Sequence, residues 1–515
     1  MDSASERSEK HSLHERTVRD SEVDVAAQLA AGDNTDGQFD PQVALQLRRK
    51  IDWHLMPLMC IMYLMAFADK TALGQSAILG IIPGAHLNQN QFNWLGSIFY
   101  LSYLVFQYPQ NLALQKFPVG KWISINIFIW AVALLAHAAC KSFGALFAVR
   151  LILGVCEGAI TPGFMIVTSM FYTRAEQTRR VGYWFLMNGF AIIFLGFVAF
   201  GVLHTKSSSF MPWQWLMVIT GVMTLVTSVI FWFSFPDSPT TAWFLTPEER
   251  VLAVRRIQVN QTGVENKHWK RNQFIETFVD PKVWLMALFA AIANIINSLT
   301  NQRQLIVTQF GFTPIQTTLI GCVDGVVEIL TVWLGVALAT YRPIGRGYAA
   351  IIMLIPALLG CLLVNLLPSH MKIGLLFGYW LSIFGITPFA IFLGWVSTLT
   401  SGHTKRITTN AVVLIAYSIG NFAGPFVWEK RYQPRNHVPW ALLAACCGAS
   451  AVVLCALRFV LARENKRRDA EVRDETYDHV YITRVNPDGT QEQKKVDRAF
   501  LDLTDIQNRD FRYVL

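Results

Sequence analysis

The chain has 515 residues, 53% hydrophobic and only 15% charged, with a formal net charge of +9. An ordinary soluble domain carries about 25% charged residues, and a water-soluble fold of this length has too little interior to hide so much apolar surface. The composition therefore excludes a soluble enzyme or binding module. The basic excess, gathered at the ends of apolar stretches, reads as membrane topology and not as a nucleic-acid footprint.

Residues 1–50 are polar and rich in Ser, Asp, Glu and Arg, which predicts a disordered cytosolic tail with an amphipathic approach from Asp40 to Ile51. No signal-peptide pattern precedes the first apolar run, which is expected to insert as an uncleaved anchor. A span needs roughly 20 mostly apolar residues. Such runs occur at 54–80, 92–113, 122–140, 143–171, 181–203 and 215–235, defining an N-terminal six-helix bundle over 51–236. Residues 237–282 break the pattern as a polar cytosolic linker, in which Thr246 before Pro247 and Glu248 is a good N-cap for a short amphipathic surface helix. Six more runs at 283–300, 316–340, 347–367, 372–398, 409–428 and 439–461 form a C-terminal six-helix bundle over 283–462. Residues 463–515 read as a charged, soluble cytosolic tail.

The reading is thus an all-α integral membrane protein of twelve transmembrane helices, with both termini on one side. On that side fall Lys116, Lys121, Arg174, Arg179, Arg180, Arg342, Arg346, Lys405 and Arg406. The opposite loops hold Lys141, Lys206, Arg303 and Lys372, with Lys430, Arg431 and Arg435 in the last loop as a local exception. The bias places the termini in the cytosol. Asn260-Gln261-Thr262 matches a glycosylation acceptor, but in a cytosolic linker it is expected to stay unmodified. The eight cysteines lie in or beside apolar runs without paired spacing, so they read as small buried hydrophobes; neither a metal site nor a cofactor is expected.

Ionisable side chains inside the apolar runs are the informative residues. One charge at mid-bilayer costs about 2.5–3.5 kcal/mol on insertion scales, so it persists where it finds a partner or faces a watery cavity. Asp69 and Lys70 sit together in the first span: a carboxyl suited to carry a proton, beside a cation suited to hold a carboxylate. The alternative is a self-neutralising pair, or a short helix ending in water near 68. Arg150 and Glu157 in the fourth span are two turns, about 10 Å, apart on one face. Gly154 and Gly158 near that face permit a close neighbour, and Pro162-Gly163 should bend the helix toward its inner end. A proton-accepting carboxylate sensed by an arginine, or an ion-pair network holding helices together, both fit. Glu328 and Asp324 in the eighth span are weaker candidates. Asn188, Asn294 and Asn297, with Tyr417, Asn421 and Pro425, either line a polar cavity or join helices in lipid. Trp53 and His54 read as interface anchors.

The sequence has no nucleophile elbow, no His-Glu-x-x-His and no phosphate-cradling loop. ATP therefore does not drive transport directly, and an ion gradient or the substrate's own gradient must.

Six plus six spans and Arg150-xxx-Gly154-xxx-Gly158 resemble the major facilitator superfamily. Several stretches are similar to the fungal allantoate permease family within its anion:cation symporters. These are Phe92-Asn-Trp-Leu-Gly-Ser-Ile-Phe-Tyr100, Pro162-Gly-Phe-Met with Thr-Ser-Met-Phe-Tyr-Thr-Arg174, and Phe235-Pro-Asp-Ser-Pro-Thr-Thr241. Asn260 to Lys267, Ser401-Gly-His-Thr-Lys405 and Arg463-Glu-Asn-Lys-Arg-Arg468 continue the likeness, which runs from about 50 to 468. The resemblance implies two pseudo-symmetric bundles around a mid-membrane cavity. It further implies that Asp69 and Glu157 take protons, Lys70 holds the anion, and Arg150 couples the two. Two departures stand out: Gln115-Lys-Phe-Pro-Val-Gly-Lys121 lacks the superfamily's acid, and Thr71-Ala-Leu-Gly-Gln-Ser-Ala77 is unusual in the first span.

The leading expectation is proton-coupled symport of a small organic anion, of the ureide, vitamin carboxylate or small-peptide type, by a monomer in the plasma membrane. Asp69 and Glu157 would couple protons; Lys70, Arg150, Asn188, Asn294, Asn297 and Glu328 would bind substrate. Alternatives are an exporter of a secondary metabolite or a non-transporting nutrient sensor signalling through its tails.

Overall fold

The computed structural model describes residues 16–17, 41–205, 210–258, 269–341, 343–471, 480–485, 491–495 and 503–515. Asn260-Gln261-Thr262 lies outside them. The first half of the chain forms α1 (Pro41–Ile78), α2 (Gln89–Lys116), α3 (Val119–Ala139), α4 (Phe143–Glu157), α5 (Ile160–Phe171), α6 (Arg174–Leu203) and α7 (Pro212–Ser234). Two short helices follow, α8 (Pro247–Gln258) and α9 (Arg271–Val279). The second half forms α10 (Pro281–Ile296), α11 (Leu299–Gln309), α12 (Pro314–Thr340), α13 (Gly345–Leu366), α14 (Lys372–Ser382), α15 (Thr387–Leu399), α16 (His403–Ala423) and α17 (His437–Asp469). Eleven spans among the described residues are long and apolar enough to cross a membrane; α2 has the length but is not apolar enough to be counted with them.

Local chemistry explains the helix starts. Asn88 and Gln91 exchange side-chain-to-backbone hydrogen bonds at 2.8 and 2.9 Å, a reciprocal cap for α2, and Thr313 and Gln316 do the same for α12. Proline opens α7, α10 and α12, where its missing N–H is no loss. The expected surface helix is present as α8, capped by Thr246 and Glu249 as the sequence predicts.

Four expectations about the chain's course need correction. The first helix begins at Pro41, inside the stretch read as a disordered tail, and its Leu47 and Ile51 are buried. These extra turns are held because Lys50 meets Glu249 at 2.7 Å and the adjoining Asp52 takes a forked contact from Arg180. There His54 stacks on Phe244 of the linker at 4.6 Å, and Trp53 is 79% exposed. The fourth span breaks at Gly158–Ala159, between α4 and α5, so the bend lies ahead of Pro162-Gly163. The seventh span extends beyond 300: α10 breaks at Asn297–Ser298 and α11 continues to Gln309.

The last correction concerns the C-terminal tail. α17 runs to Asp469, and residues 503–515 fold back onto the second bundle. Asp505 is fully buried, paired with Lys282 and, at 2.9 Å, with Lys405, and it accepts the Tyr513 hydroxyl at 2.6 Å. Burial alone would raise this carboxyl, yet the two lysines hold it down at about 2. Trp395 donates to the Val514 carbonyl at 2.7 Å and the Arg346 amide to the Leu515 carbonyl at 3.1 Å. A small sheet pairs Arg16–Thr17 in parallel with the Val480–Val485 strand, which pairs antiparallel with Gln491–Lys495.

Each half has its own apolar core. The halves meet through three helix pairs, α1 with α11, α2 with α16, and α6 with α12. All three close at the end remote from the helices' terminal-side entries. A Cβ on Gly74 would lie 2.9 Å from the Asn301 carbonyl, and one on Gly325 would lie 2.5 Å from the Gly189 carbonyl. Asn93 donates to the Trp428 carbonyl and Ser97 to the Phe422 carbonyl, both at 2.9 Å.

Candidate functional site

The charged residues of the first half converge between α1, α4 and α7. Adjacent positions on a helix diverge by about 100°, so Asp69 and Lys70 cannot serve the same neighbour. Lys70 reaches Glu157 of α4 at 2.6 Å. Asp69 turns to α7 and accepts the Thr224 hydroxyl at 2.9 Å through one oxygen, while its other oxygen is buried without a partner. The self-neutralising pair considered for these two is thus not what forms.

Glu157 is the last residue of α4, immediately before the break. Its helix approaches α2 closely because position 154 is glycine: a Cβ there would sit 2.1 Å from Ser102 Oγ and 2.2 Å from the Phe99 carbonyl. Arg150, on the same face, is 2% exposed, and its Nε and Nη2 have no hydrogen-bond partner among the described residues. Buried guanidinium donors normally find acceptors, which makes Arg150 a candidate binding residue. His137 of α3, fully buried and within electrostatic reach of Arg150, was not singled out from the sequence. A lone histidine in an apolar run carries no signal of what packs beside it.

Aromatic rings wall this charge cluster. Lys70 Nζ lies 5.4 Å from the Phe99 ring centre and 5.9 Å from that of Tyr100. Tyr417 of α16 faces Tyr100 and Tyr103, each at 6.3 Å, and stacks on Phe389 of α15 at 5.3 Å. The wall thus joins residues of both halves around the Lys70–Glu157 pair, whose side chains keep 17% and 10% exposure.

The candidates in the second half separate into two groups. Asn297 donates to Asn421 at 2.8 Å, and Asn421 donates to Asn294 at 3.0 Å, making an amide ladder between α10 and α16. The helix-joining alternative is therefore met in Asn294 and Asn297. Glu328 pairs with Arg303 at 2.7 Å, with both side chains 4% exposed. Asp324, one turn earlier, accepts from the Tyr379 hydroxyl at 2.8 Å and the Trp380 indole at 2.9 Å. Arg303 was expected in a loop facing water; it lies in α11 and is buried, because the seventh span continues past its break. Asn188 of α6 is buried, with its side-chain oxygen unpartnered.

What this arrangement can do is exchange partners. A lysine held by one carboxylate, a second carboxylate with an unpartnered oxygen and an arginine with unpartnered N–H groups lie within electrostatic reach of one another.

The Major Facilitator Superfamily model matches residues 59–425. The chain is similar to the thiamine pathway transporter of Saccharomyces cerevisiae, 33% identical over 94% of this chain and 89% of that protein. It is similar also to the allantoate permease of the same yeast, 32% identical over 96% of this chain and 90% of the relative. Among solved structures, it resembles the xylose transporter XylE from E. coli in a partially occluded inward open conformation. That likeness has a TM-score of 0.61 at 13% identity and covers 78% of this chain and 97% of XylE.

Proposed function

The chain belongs to the Major Facilitator Superfamily, and from that premise we propose that it couples the movement of a small organic anion to that of protons. It is a multi-pass membrane transporter of small organic substrates, not an enzyme, and its relatives are fungal transporters that include an allantoate permease. The proposed reading adds twelve transmembrane helices, cytosolic termini, a plasma-membrane location and a monomeric carrier. With the termini inside, the end at which the two halves touch faces outward.

The observation that carries the proposal is the 2.6 Å Lys70–Glu157 pair beside Asp69, inside an aromatic wall shared by both halves. In this reading a proton on Glu157 loosens its hold on Lys70, which then takes the substrate carboxylate. A second proton neutralises Asp69, and Arg150 senses the change through its free N–H groups. Asn188 and Glu328 contribute polar contacts from the cavity's other wall, and Asn294 and Asn297 act through the ladder with Asn421. Substrate drives the rocking only by binding the two states with different affinity. A substrate of the ureide or vitamin-carboxylate type fits this charge and size.

The test is uptake of a labelled panel of small organic anions by proteoliposomes, with and without an inward proton gradient. Gradient-dependent accumulation of one anion is expected, and Asp69→Asn is expected to abolish it. Full proton-driven accumulation by Asp69→Asn would remove Asp69 from the mechanism. Substrate leaving the vesicles against its gradient would favour export of a metabolite.

A further inference from the structure

The second half contains a charge centre of which the scheme above uses only Glu328. Arg303 stands on the first span of its bundle, as Lys70 does on the first span of the other. Each is clasped by one carboxylate, Glu328 at 2.7 Å and Glu157 at 2.6 Å. The two differ in what remains free. Glu328 occupies one Nη of Arg303, while Nε and the other Nη are buried without a partner. A buried guanidinium with two idle donors is costly unless something else meets them.

Those idle donors border a crevice between the bundles, on the closed side of the molecule. Thr71, Gly74 and Gln75 of α1 face Thr300, Arg303 and Gln304 across it. The side-chain oxygens of Gln75 and Gln304 are buried and unpartnered too. Gln75 from one bundle, and Arg303 and Gln304 from the other, thus line a space too small for any substrate in the present state. Because the bundles touch here, parting them at this end is what widens it.

We infer that Arg303 is a second anion-recognising residue, covered in this state and presented to substrate when the bundles separate at the closed end. This rests on the transport reading above and adds to it a chemical class. With Nη2 engaged by Glu328, the idle Nε–H and Nη1–H groups lie on different edges of the guanidinium, and each can give one charge-assisted N–H···O bond to an oxygen of a carboxylate. Gln75 and Gln304 accept from N–H or O–H groups near that carboxylate. The preferred substrate is therefore a small carboxylate that bears such donors, an amide or hydroxy acid, over an alkyl carboxylate of equal size.

The experiment uses the full-length protein in proteoliposomes, with entry from the closed-side face, and matched labelled pairs: lactate against propionate, malate against succinate, and succinamate against levulinate. Variants are Arg303→Lys, which keeps the charge and the partner of Glu328, and Arg303→Gln with Glu328→Gln, which removes both charges of the pair together while Asp324 keeps its hydrogen bonds from Tyr379 and Trp380. Loss of charge-assisted hydrogen bonds is expected to raise KM by about tenfold or more with a smaller change in kcat, and to erase the preference for the donor-bearing member of each pair. Unchanged KM and preference in both variants overturn the inference, as does a loss confined to kcat, which marks a structural role. Failure of the wild-type protein to move any of the six, while it accumulates an anion of the wider panel, overturns the substrate class inferred here; failure on the wider panel as well rejects the anion-symport reading instead.

Discussion

Replacing Glu157 by Gln keeps the shape of the side chain and removes the charge that faces Lys70 at 2.6 Å. Opposite charges at about 4 Å attract by roughly 4 kcal/mol at an effective dielectric of 20, and stranding one member of a buried pair costs about 3–5 kcal/mol. The residual exposure of 17% for Lys70 and 10% for Glu157 lets water reach the pair and moves the expectation to the lower end, so about 2–3 kcal/mol. Lys70→Met should cost a similar amount, for it strands Glu157. The double variant strands nothing, and should recover most of the loss, giving a coupling of roughly 2 kcal/mol in the double-mutant cycle. Thermal unfolding of the four purified proteins in one detergent at pH 7 reads these differences directly. Losses that simply add, with no coupling, would show that the pair contributes nothing as a pair and would refute the reasoning. Counterflow on the same proteins extends the test to function: Glu157→Gln is expected to exchange substrate yet fail to accumulate it on a proton gradient.

Other outcomes follow from single contacts. Gly154→Ala puts a methyl group 2.1 Å from Ser102 Oγ and 2.2 Å from a backbone carbonyl, so α2 and α4 must part. Overpacking of this kind costs about 1–3 kcal/mol, measurable as a lowered unfolding midpoint; an unchanged midpoint would show the interface to be loose. Thr224→Val removes the hydrogen bond to Asp69 and is expected to shift the pH dependence of uptake while leaving unfolding nearly unchanged. Asp505 titrates at about 2 when docked against an ordinary value of 3.8. Its contribution of roughly 2 kcal/mol is therefore complete above pH 4 and lost as pH falls through about 2. Asp505→Asn should release residues 503–515 to limited proteolysis at neutral pH, whereas acidification to pH 5 should not; release of the wild-type tail at pH 5 contradicts the pairing.

Much of this molecule is legible in its order of residues, because hydrocarbon imposes a demand that every span answers alone. Apolar runs of bilayer length, a polar linker at mid-chain and proline or Asn, Thr and Gln at the starts are local properties, and the helices form where they predict. The same logic exposes Asp69, Lys70, Arg150 and Glu157, since a charge in an apolar run is conspicuous whatever surrounds it. Helical spacing also put Arg150 and Glu157 on one face of α4 and marked Gly154 as a point of close approach.

Partnership was not legible. The neighbour of Lys70 is Glu157, 87 positions away along the chain, and the neighbour of Asp69 is Thr224, an unremarked hydroxyl in a different helix. Arg303 looked like a loop residue because its span is polar after the break, from Thr300 to Gln304, and only the helices packed around it bury that stretch. The docked tail escaped for a related reason: Asp505 and Tyr513 are ordinary surface residues until Lys282, Lys405 and Arg468 are brought together beneath them. Sequence alone determined what must be buried in lipid and which charges require an explanation. Tertiary structure decided which carboxylate answers which cation, because electrostatic pairing depends on distances across helices that no span encodes by itself.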